Sequence, residues 1–412
     1  MSDPSADDLA LLARHAPLLV LDRLERYAPV PVEPFLTASI TADGGKRLSG
    51  PPADLGVGGC PPALHLDPAP DAHRAADRAA AVFARFAPAP EPAAWACYGR
   101  VLRRRRGRRL LQYWCGFPDN PFGLGMRDVG RHVGDWEQVC VELDRSCALA
   151  AVIVFQHGSP QRVAAGSPGL TLADGRPRVY VAEGSHAMYL TAGSQPRILK
   201  RDNTSEGRSG VPRVLPLRGG AGWATWCGRW GPDTGPDLPR AELALVRWIA
   251  RRSIGGDSPW SPLGAHRGRG ERKPSVVAGR AQPVNRLGRV LRWLGERTWP
   301  CAVALDGAPV VERENVAEGH GEAPLAGAAA RERAAVRVRA RSGGLLLRRA
   351  RYLDATVVDA GGAAIGHARA AFHGRHAELA VPLLDRAGPP AEVRIAGYNR
   401  VDQRSDVIAA PL

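Results

Sequence analysis

The stretch Arg131-His132-Val133-Gly134-Asp135-Trp136-Glu137-Gln138-Val139-Cys140-Val141-Glu142-Leu143 decides the fold. Its Val-rich second half reads as a strand, in which successive side chains point to opposite faces. Asp135 and Glu137 therefore share a face with Val139, Val141 and Leu143. That face is apolar except where it begins. Carboxylates at the head of a core-facing row must be solvated, hydrogen-bonded, paired with cations or bound to a metal, because burying an unpaired charge is costly. His132, in the segment just before, can turn back to the same point.

Working outward, residues 94–102 and 110–117 flank a run of arginines as a hairpin, and 136–143, 150–156 and 178–182 read as further strands rich in Val, Ile and Tyr. Strands so closely spaced, without helices between them, point to an antiparallel β-sandwich. Ahead of it, residues 8–15 read as a short helix, 16–21 as an apolar run, 29–34 as turn-rich and 44–70 as loop; 71–86 has helical spacing, with Ala75, Ala79, Val82 and Phe86 on one stripe. Trp223, Trp226 and Trp230, among the glycines of 219–230, suggest a loop packed over the sandwich. Residues 238–252 and 285–297 look helical, with a Pro/Gly/Arg linker at 257–274 between them. Beyond Cys301, the segments 335–340, 350–358, 376–383 and 392–397 again read as strands. The expectation is a mainly β protein: a sandwich decorated by a few helices in residues 1–300, with a helical insertion at about 238–299, and a second, smaller C-terminal β domain at 301–412 of unknown role.

Composition narrows the classes. With 44% apolar and 24% charged residues, and no apolar run long enough to span a bilayer, the chain reads as globular rather than membrane-spanning. Residues 1–8 carry acids and no basic segment ahead of an apolar run, so the expectation is no signal peptide and a cytoplasmic location. Seven cysteines, an odd number without a C-x-x-C pair, signal neither a disulfide framework nor a cysteine zinc site. The net charge of +15 rests on 53 arginines and three lysines (Lys46, Lys200, Lys273). Together with abundant Ala, Gly and Pro, this bias resembles the GC-rich coding of actinobacteria more than selection for phosphate contacts, and carries no specific nucleic-acid signal. The dense run from Arg103 to Arg109 reads as an exposed hairpin tip, a solvated loop ahead of a polyanion contact. The oligomeric state is not legible.

Two more strands end in a histidine beside a glycine: Val152 to His157, then Gly158, and Val179 to His186, after Gly184. His132, Asp135, Glu137, His157 and His186 converging at one sandwich end would suit a divalent metal ion such as Mg, Ca, Mn or Zn. The alternative is structural: hydrogen-bonded histidines, and carboxylates paired with Arg131 or another arginine. Asp119, Asn120, Trp136 and Glu183 are candidate pocket-lining residues. Asp119 and Asn120 also suit a turn, and Trp136 also suits the core. No P-loop, dinucleotide fingerprint, H-E-x-x-H or G-x-S-x-G is present.

The strings GDWE (134–137), QHG (156–158), VYVAEGSHAMY (179–189) and GRWG (228–231), with LARHAPLLVLDRLERYAPV (12–30), resemble the vacuolar protein sorting-associated protein 62 family over about residues 12–262. More distantly, His132, Asp135 and Glu137 match the H-x-x-D-x-E spacing in the G-H-R-H-D-W-E heptapeptide of necrosis- and ethylene-inducing peptide-like cytolysins. That resemblance implies a β-sandwich with a divalent cation in an acidic, histidine-bearing cavity, recognising sphingolipid sugar headgroups at membranes. It carries His132, Asp135 and Glu137 over as the core of a metal site, with His157 and His186 as additions. Val133 and Gly134 depart from the heptapeptide. The function expected is a divalent-cation-dependent β-sandwich protein that binds or acts on a small polar ligand such as a sugar or lipid headgroup. Two alternatives stay open: a metal-assisted hydrolase or lyase with His157 or His186 as catalytic acid or base, and a structural protein with a stabilising polar cluster.

Overall fold

The structure, a computed structural model, describes residues 4–43, 46–49, 64–72, 75–87, 91–121, 131–156, 159–196, 201–218, 222–225, 229–231, 301–316, 331–343, 349–384, 388–399 and 404–412. His157, Trp226 and the expected helical insertion with its linker lie outside the described residues.

The fold is mainly β. Its centre is a six-stranded sheet in the order Arg213–Pro216, Ala96–Arg103, Arg109–Asn120, His132–Leu143, Leu149–Gln156 and Ser159–Ala164. Every neighbour pair is antiparallel except the first. A second sheet runs Leu172–Ala173, Arg176–Val181, Leu18–Leu21 and Ser209–Gly210, with Met188–Tyr189 pairing on Arg176–Val181. Here Leu18–Leu21 pairs in parallel with Arg176–Val181, so the sandwich is mixed rather than purely antiparallel. Two parallel partners from distant parts of the chain are what period-two patterning cannot reveal.

Period two does explain the core. Val139, Val141 and Leu143 face Leu19, Leu21, Val179 and Val181 of the other sheet, together with Leu111, Tyr113, Cys115, Val152 and Val154. The helix Ala6–His15, capped by Ser5 accepting from the Asp8 amide at 3.2 Å, inserts Leu12 into this core. On the outer face of the six-stranded sheet, Tyr98, Trp114 and Trp136 are covered by Phe35 of the helix Glu33–Ala38, Val82 of the helix Ala75–Phe86, Leu66 and Trp230. Within the 44–70 stretch expected to be loop, Lys46–Ser49 and Leu64–Asp67 instead form strands that both pair with Ile40–Asp43, just ahead of it, as a small sheet.

The C-terminal segment forms its own two-layered unit. Arg331–Ser342 pairs with Val303–Leu305, Val310–Val316 and His376–Pro382, while Tyr352–Asp359 lies between Ala364–Ala371 and Pro390–Tyr398, with Ile408–Pro411 at the edge. Val336, Val338, Leu353, Val357, Val381 and Ile395 make up a core separate from the first. A smaller apolar contact of Leu24 with Tyr352, Ala396 and Tyr398 joins the two units.

Candidate functional site

Asp135 stands opposite Phe117 in the ladder between Arg109–Asn120 and His132–Leu143, and His132 stands opposite Asn120. The strand starts four residues before the predicted Trp136, which places these polar side chains on the sheet rather than in a preceding loop. Asp135 Oδ2 accepts from Asn120 Nδ2 at 3.0 Å and from His186 Nδ1 at 3.0 Å; its Oδ1 accepts from the Trp136 amide at 2.9 Å. His186 reaches it from the turn between Arg176–Val181 and Met188–Tyr189, where Gly184 (φ +66°) and His186 itself (φ +51°) take left-handed backbone. A non-glycine residue held there is uncommon and marks a position fixed by its surroundings.

Behind His186 lies a residue the sequence did not single out. Glu25 Oε1 is 3.4 Å from His186 Nε2, an ion-pair distance, and accepts from the Arg26 and Tyr27 amides at 2.8 and 2.9 Å, while Oε2 accepts from the Gly184 amide at 2.5 Å. Glu25, His186 and Asp135 thus form a buried carboxylate–imidazole–carboxylate line. Burial of His186 disfavours its charge, but the Glu25 charge, the hydrogen bond to Asp135 and the Asp135 charge outweigh it and raise its pKa to about 10. At neutral pH it is an imidazolium that hydrogen-bonds Asp135 through Nδ1, while Nε2 lies 3.4 Å from Glu25 outside hydrogen-bond geometry. Burial would likewise push Glu25 up, yet His186 and the Tyr27 and Gly184 amides hold it below the usual range.

The other expected residues divide. His132 is buried and its Nδ1 donates to the Gly134 carbonyl at 2.8 Å. Glu137 lies on the Asp135 face opposite Cys115, where its charge and, more strongly, burial keep the Cys115 thiol high. Asp119 Oδ2 accepts from Arg131 at 2.5 Å and from the Tyr27 hydroxyl at 3.3 Å; its fully buried Oδ1 has no hydrogen-bond partner among the described residues. Trp136 points to the opposite face, stacked on Trp223 (5.6 Å, 2°) and edge-on to Trp230 (5.1 Å, 78°). Glu183 turns away from Asp135 towards the C-terminal unit, accepting from the Tyr398 hydroxyl and from Arg404 at 2.8 Å. Burial raises its pKa, aided by Asp22 and Asp354 and opposed by Arg404.

A pocket opens where Asp135 meets Phe35, Phe117, Pro118, Trp136 and Trp230. Its space of about 20 Å³ is on the scale of one water. For a divalent cation the fit is incomplete: both Asp135 oxygens accept hydrogen bonds, the His186 imidazolium offers no lone pair, and among the described residues no group of three or more His, Cys, Asp or Glu side chains is arranged to hold a metal. The arrangement as it stands fixes a carboxylate rather than exposing a set of ligands.

No protein-family model and no curated protein matches the chain. The solved structures it resembles are of the necrosis- and ethylene-inducing peptide-like cytolysin fold. They include "NLPPya in complex with mannosamine" (15% identity, TM-score 0.27, 52% of this chain and 76% of that one). "NLPPya in complex with glucosamine" stands at 16% identity and TM-score 0.28, with 52% and 74% covered. "Toxin fold as basis for microbial attack and plant defense" stands at 14% and 0.27, with 52% and 77% covered. Likeness this distant carries no functional argument. The motif likeness to the vacuolar protein sorting-associated protein 62 family has no counterpart among these matches.

Proposed function

We propose that this chain is a binding protein whose pocket at the sandwich end takes a small polar ligand of the sugar or headgroup class. The observation that carries the reading is the pocket beside Asp135, which the residues Phe35, Phe117, Trp136 and Trp230 help to line. Aromatic faces cover the apolar face of such a ligand, and one fixed carboxylate accepts from its hydroxyl or amine. Asn120 and His186 hold that carboxylate in place. His186 favours binding over catalysis, because a buried imidazolium that keeps its proton to about pH 10 is poorly matched to acid–base work near neutrality. Small-molecule sites run to roughly 300 Å³ or more, so entry of a sugar requires Trp230 or the Val30–Phe35 wall to move. Divalent cation dependence, expected from His132, Asp135, Glu137 and His157, would require these groups to rearrange, since Asp135 is committed to Asn120, His186 and the Trp136 amide.

Tryptophan fluorescence with neutral sugars, amino sugars and phosphocholine, each in Mg, Ca, Mn, Zn and chelator, tests the reading. A saturable change with at least one ligand is expected, weakened about tenfold or more in Asp135→Asn, the scale of one charge-assisted hydrogen bond. Melting curves of the variant establish that it is folded. Binding that survives Asp135→Asn unchanged, or a panel without any saturable response by fluorescence and calorimetry, removes the proposal.

A further inference from the structure

The end of the sandwich opposite the pocket carries a second feature. Ala96–Arg103 and Arg109–Asn120 join through a tight tip closed by the Arg104 amide donating to the Arg108 carbonyl at 2.8 Å. Arg103, Arg104, Arg105, Arg106 and Arg108 are all exposed. The turn requires left-handed backbone at both Arg106 (φ +61°) and Gly107 (φ +72°). Glycine or asparagine meets that requirement at least cost, and here an arginine occupies one of the two places. The next hairpin turn adds exposed Arg145, whose Cβ would lie 3.6 Å from a Cβ built on Gly107.

Counter-charge at the tip is sparse. Asp8 meets Arg103 at 3.2 Å, yet Arg103 keeps 67% of its side chain in solvent. Asp144 Oδ1 is committed to its own turn, accepting from the Ser146 amide and hydroxyl and from the Ala148 amide. Six guanidinium groups therefore project from one convex point, each able to bind phosphate oxygens in a bidentate way.

We propose that this arginine tip docks the protein on an anionic lipid bilayer through headgroup phosphates and carboxylates. The residues favour a bilayer over a nucleic acid. The tip consists of arginine and glycine alone, without the aromatic side chains that stack unpaired bases. A hairpin end is also a shape that can meet a flat surface, where each basic residue engaged adds roughly 1 kcal/mol, about fivefold in affinity. Because Arg109 pairs with Leu143 while Phe117 pairs with Asp135, tip and pocket occupy opposite ends of the same strands, roughly 25 Å apart at about 3.3 Å per residue. A tip seated on a membrane leaves the pocket facing away from it. The inference is independent of what the pocket binds.

The test is co-sedimentation of the full chain with phosphatidylcholine vesicles, with and without phosphatidylserine, alongside titration with a single-stranded oligonucleotide. The comparison variant replaces Arg104, Arg105, Arg106 and Arg108 with Gln, all exposed and remote from the pocket. Binding is expected only to the phosphatidylserine vesicles, weakening as salt shortens the Debye length from about 10 Å at 0.1 M to 3 Å at 1 M. The fourfold variant should lose roughly 100-fold or more in vesicle affinity with unchanged melting. Equal binding to both vesicle types, vesicle binding that the four substitutions leave intact, or tight oligonucleotide binding without vesicle binding each overturns the proposal.

Discussion

The imidazole of His186 lies parallel to the ring of Phe117, with centroids 4.0 Å apart and planes 2° from parallel. Phe117 is also the cross-strand partner of Asp135, so one aromatic ring shields the hydrogen bond between His186 and Asp135. Removing the imidazole leaves Glu25 and Asp135 buried without their shared cation. His186→Ala is therefore expected to destabilise the protein by roughly 3–5 kcal/mol, the usual consequence of breaking a buried pair. Urea unfolding measures it, and a loss below about 1 kcal/mol would mean that the line contributes little.

The same groups set how stability depends on pH. The His186 pKa is raised from 6.5 to about 10, so its contribution is complete below pH 6.5 and disappears as pH rises through 10. Glu25 is lowered from 4.5, so its contribution is present above 4.5 and falls away in more acid solution. His367 is lowered from 6.5 to about 4, chiefly by burial and then by the Arg26 charge. Below pH 6.5 the unfolded chain binds a proton that the folded His367 refuses, so stability declines from 6.5 towards 4. Melting temperature should peak near pH 6.5 and fall on both sides; a continuous rise to pH 10 would contradict the His186 assignment.

What could be read from the sequence follows from where alternation holds. Asp135, Glu137, Val139, Val141 and Leu143 keep strict period two, and the placement of the carboxylates at the head of a core-facing row was legible from it. Alternation fails in the 183–186 turn, because the left-handed Gly184 and His186 redirect the chain. Glu183, which sequence proximity groups with His186, consequently faces Arg404 instead. Glu25 was hidden for another reason: it sits in an irregular run, 159 residues from the Gly184 amide it accepts from, and nothing local announces that contact. The parallel pairing of Leu18–Leu21 with Arg176–Val181 is equally non-local.

Gly134 provides a separate test of the site's construction. Its φ is +70°, and a Cβ there would lie 2.8 Å from Trp230 Cβ and 2.9 Å from the Trp230 carbonyl oxygen. Gly134→Ala meets both left-handed strain and a backbone clash, so a loss of roughly 1–3 kcal/mol is expected. Trp230 must shift, and with it the edge-on contact to Trp136. Near-ultraviolet circular dichroism should lose intensity in the variant. A spectrum and melting temperature equal to the parent would show that Trp230 is not held against Gly134.

Arg404 ties the C-terminal unit to the segments that hold the site. Its Nη1 donates to Asp22 Oδ1 at 2.6 Å and to Glu183 Oε2 at 2.8 Å, and its Nη2 donates to Asp22 Oδ2 at 2.8 Å. Nearby, Arg26 donates to His367 Nδ1 at 2.9 Å, and His367 Nε2 donates to Asp354 Oδ1 at 2.7 Å. Asp22 and Arg26 flank Glu25, and Glu183 precedes the Gly184 amide that Glu25 accepts, so both clamped segments meet at His186. Arg404→Met removes the shared cation while keeping an unbranched side chain, and leaves Asp22 and Glu183, both of the sandwich unit, buried side by side without it. Glu183 then takes up a proton or the interface opens. In either case the amides of residues 25–27 and 184–186 should exchange with deuterium about tenfold faster or more, since about 1.4 kcal/mol of local stability corresponds to a factor of ten. The central ladder of Arg109–Asn120 with His132–Leu143 packs in the main sandwich core, makes no hydrogen bond to Arg404 among the described residues and should keep its protection. Hydrogen exchange read by mass spectrometry resolves the two regions. Unchanged exchange at 25–27 and 184–186 would show that the C-terminal unit does not support the site, whereas faster exchange throughout the chain would show global destabilisation instead of a local clamp.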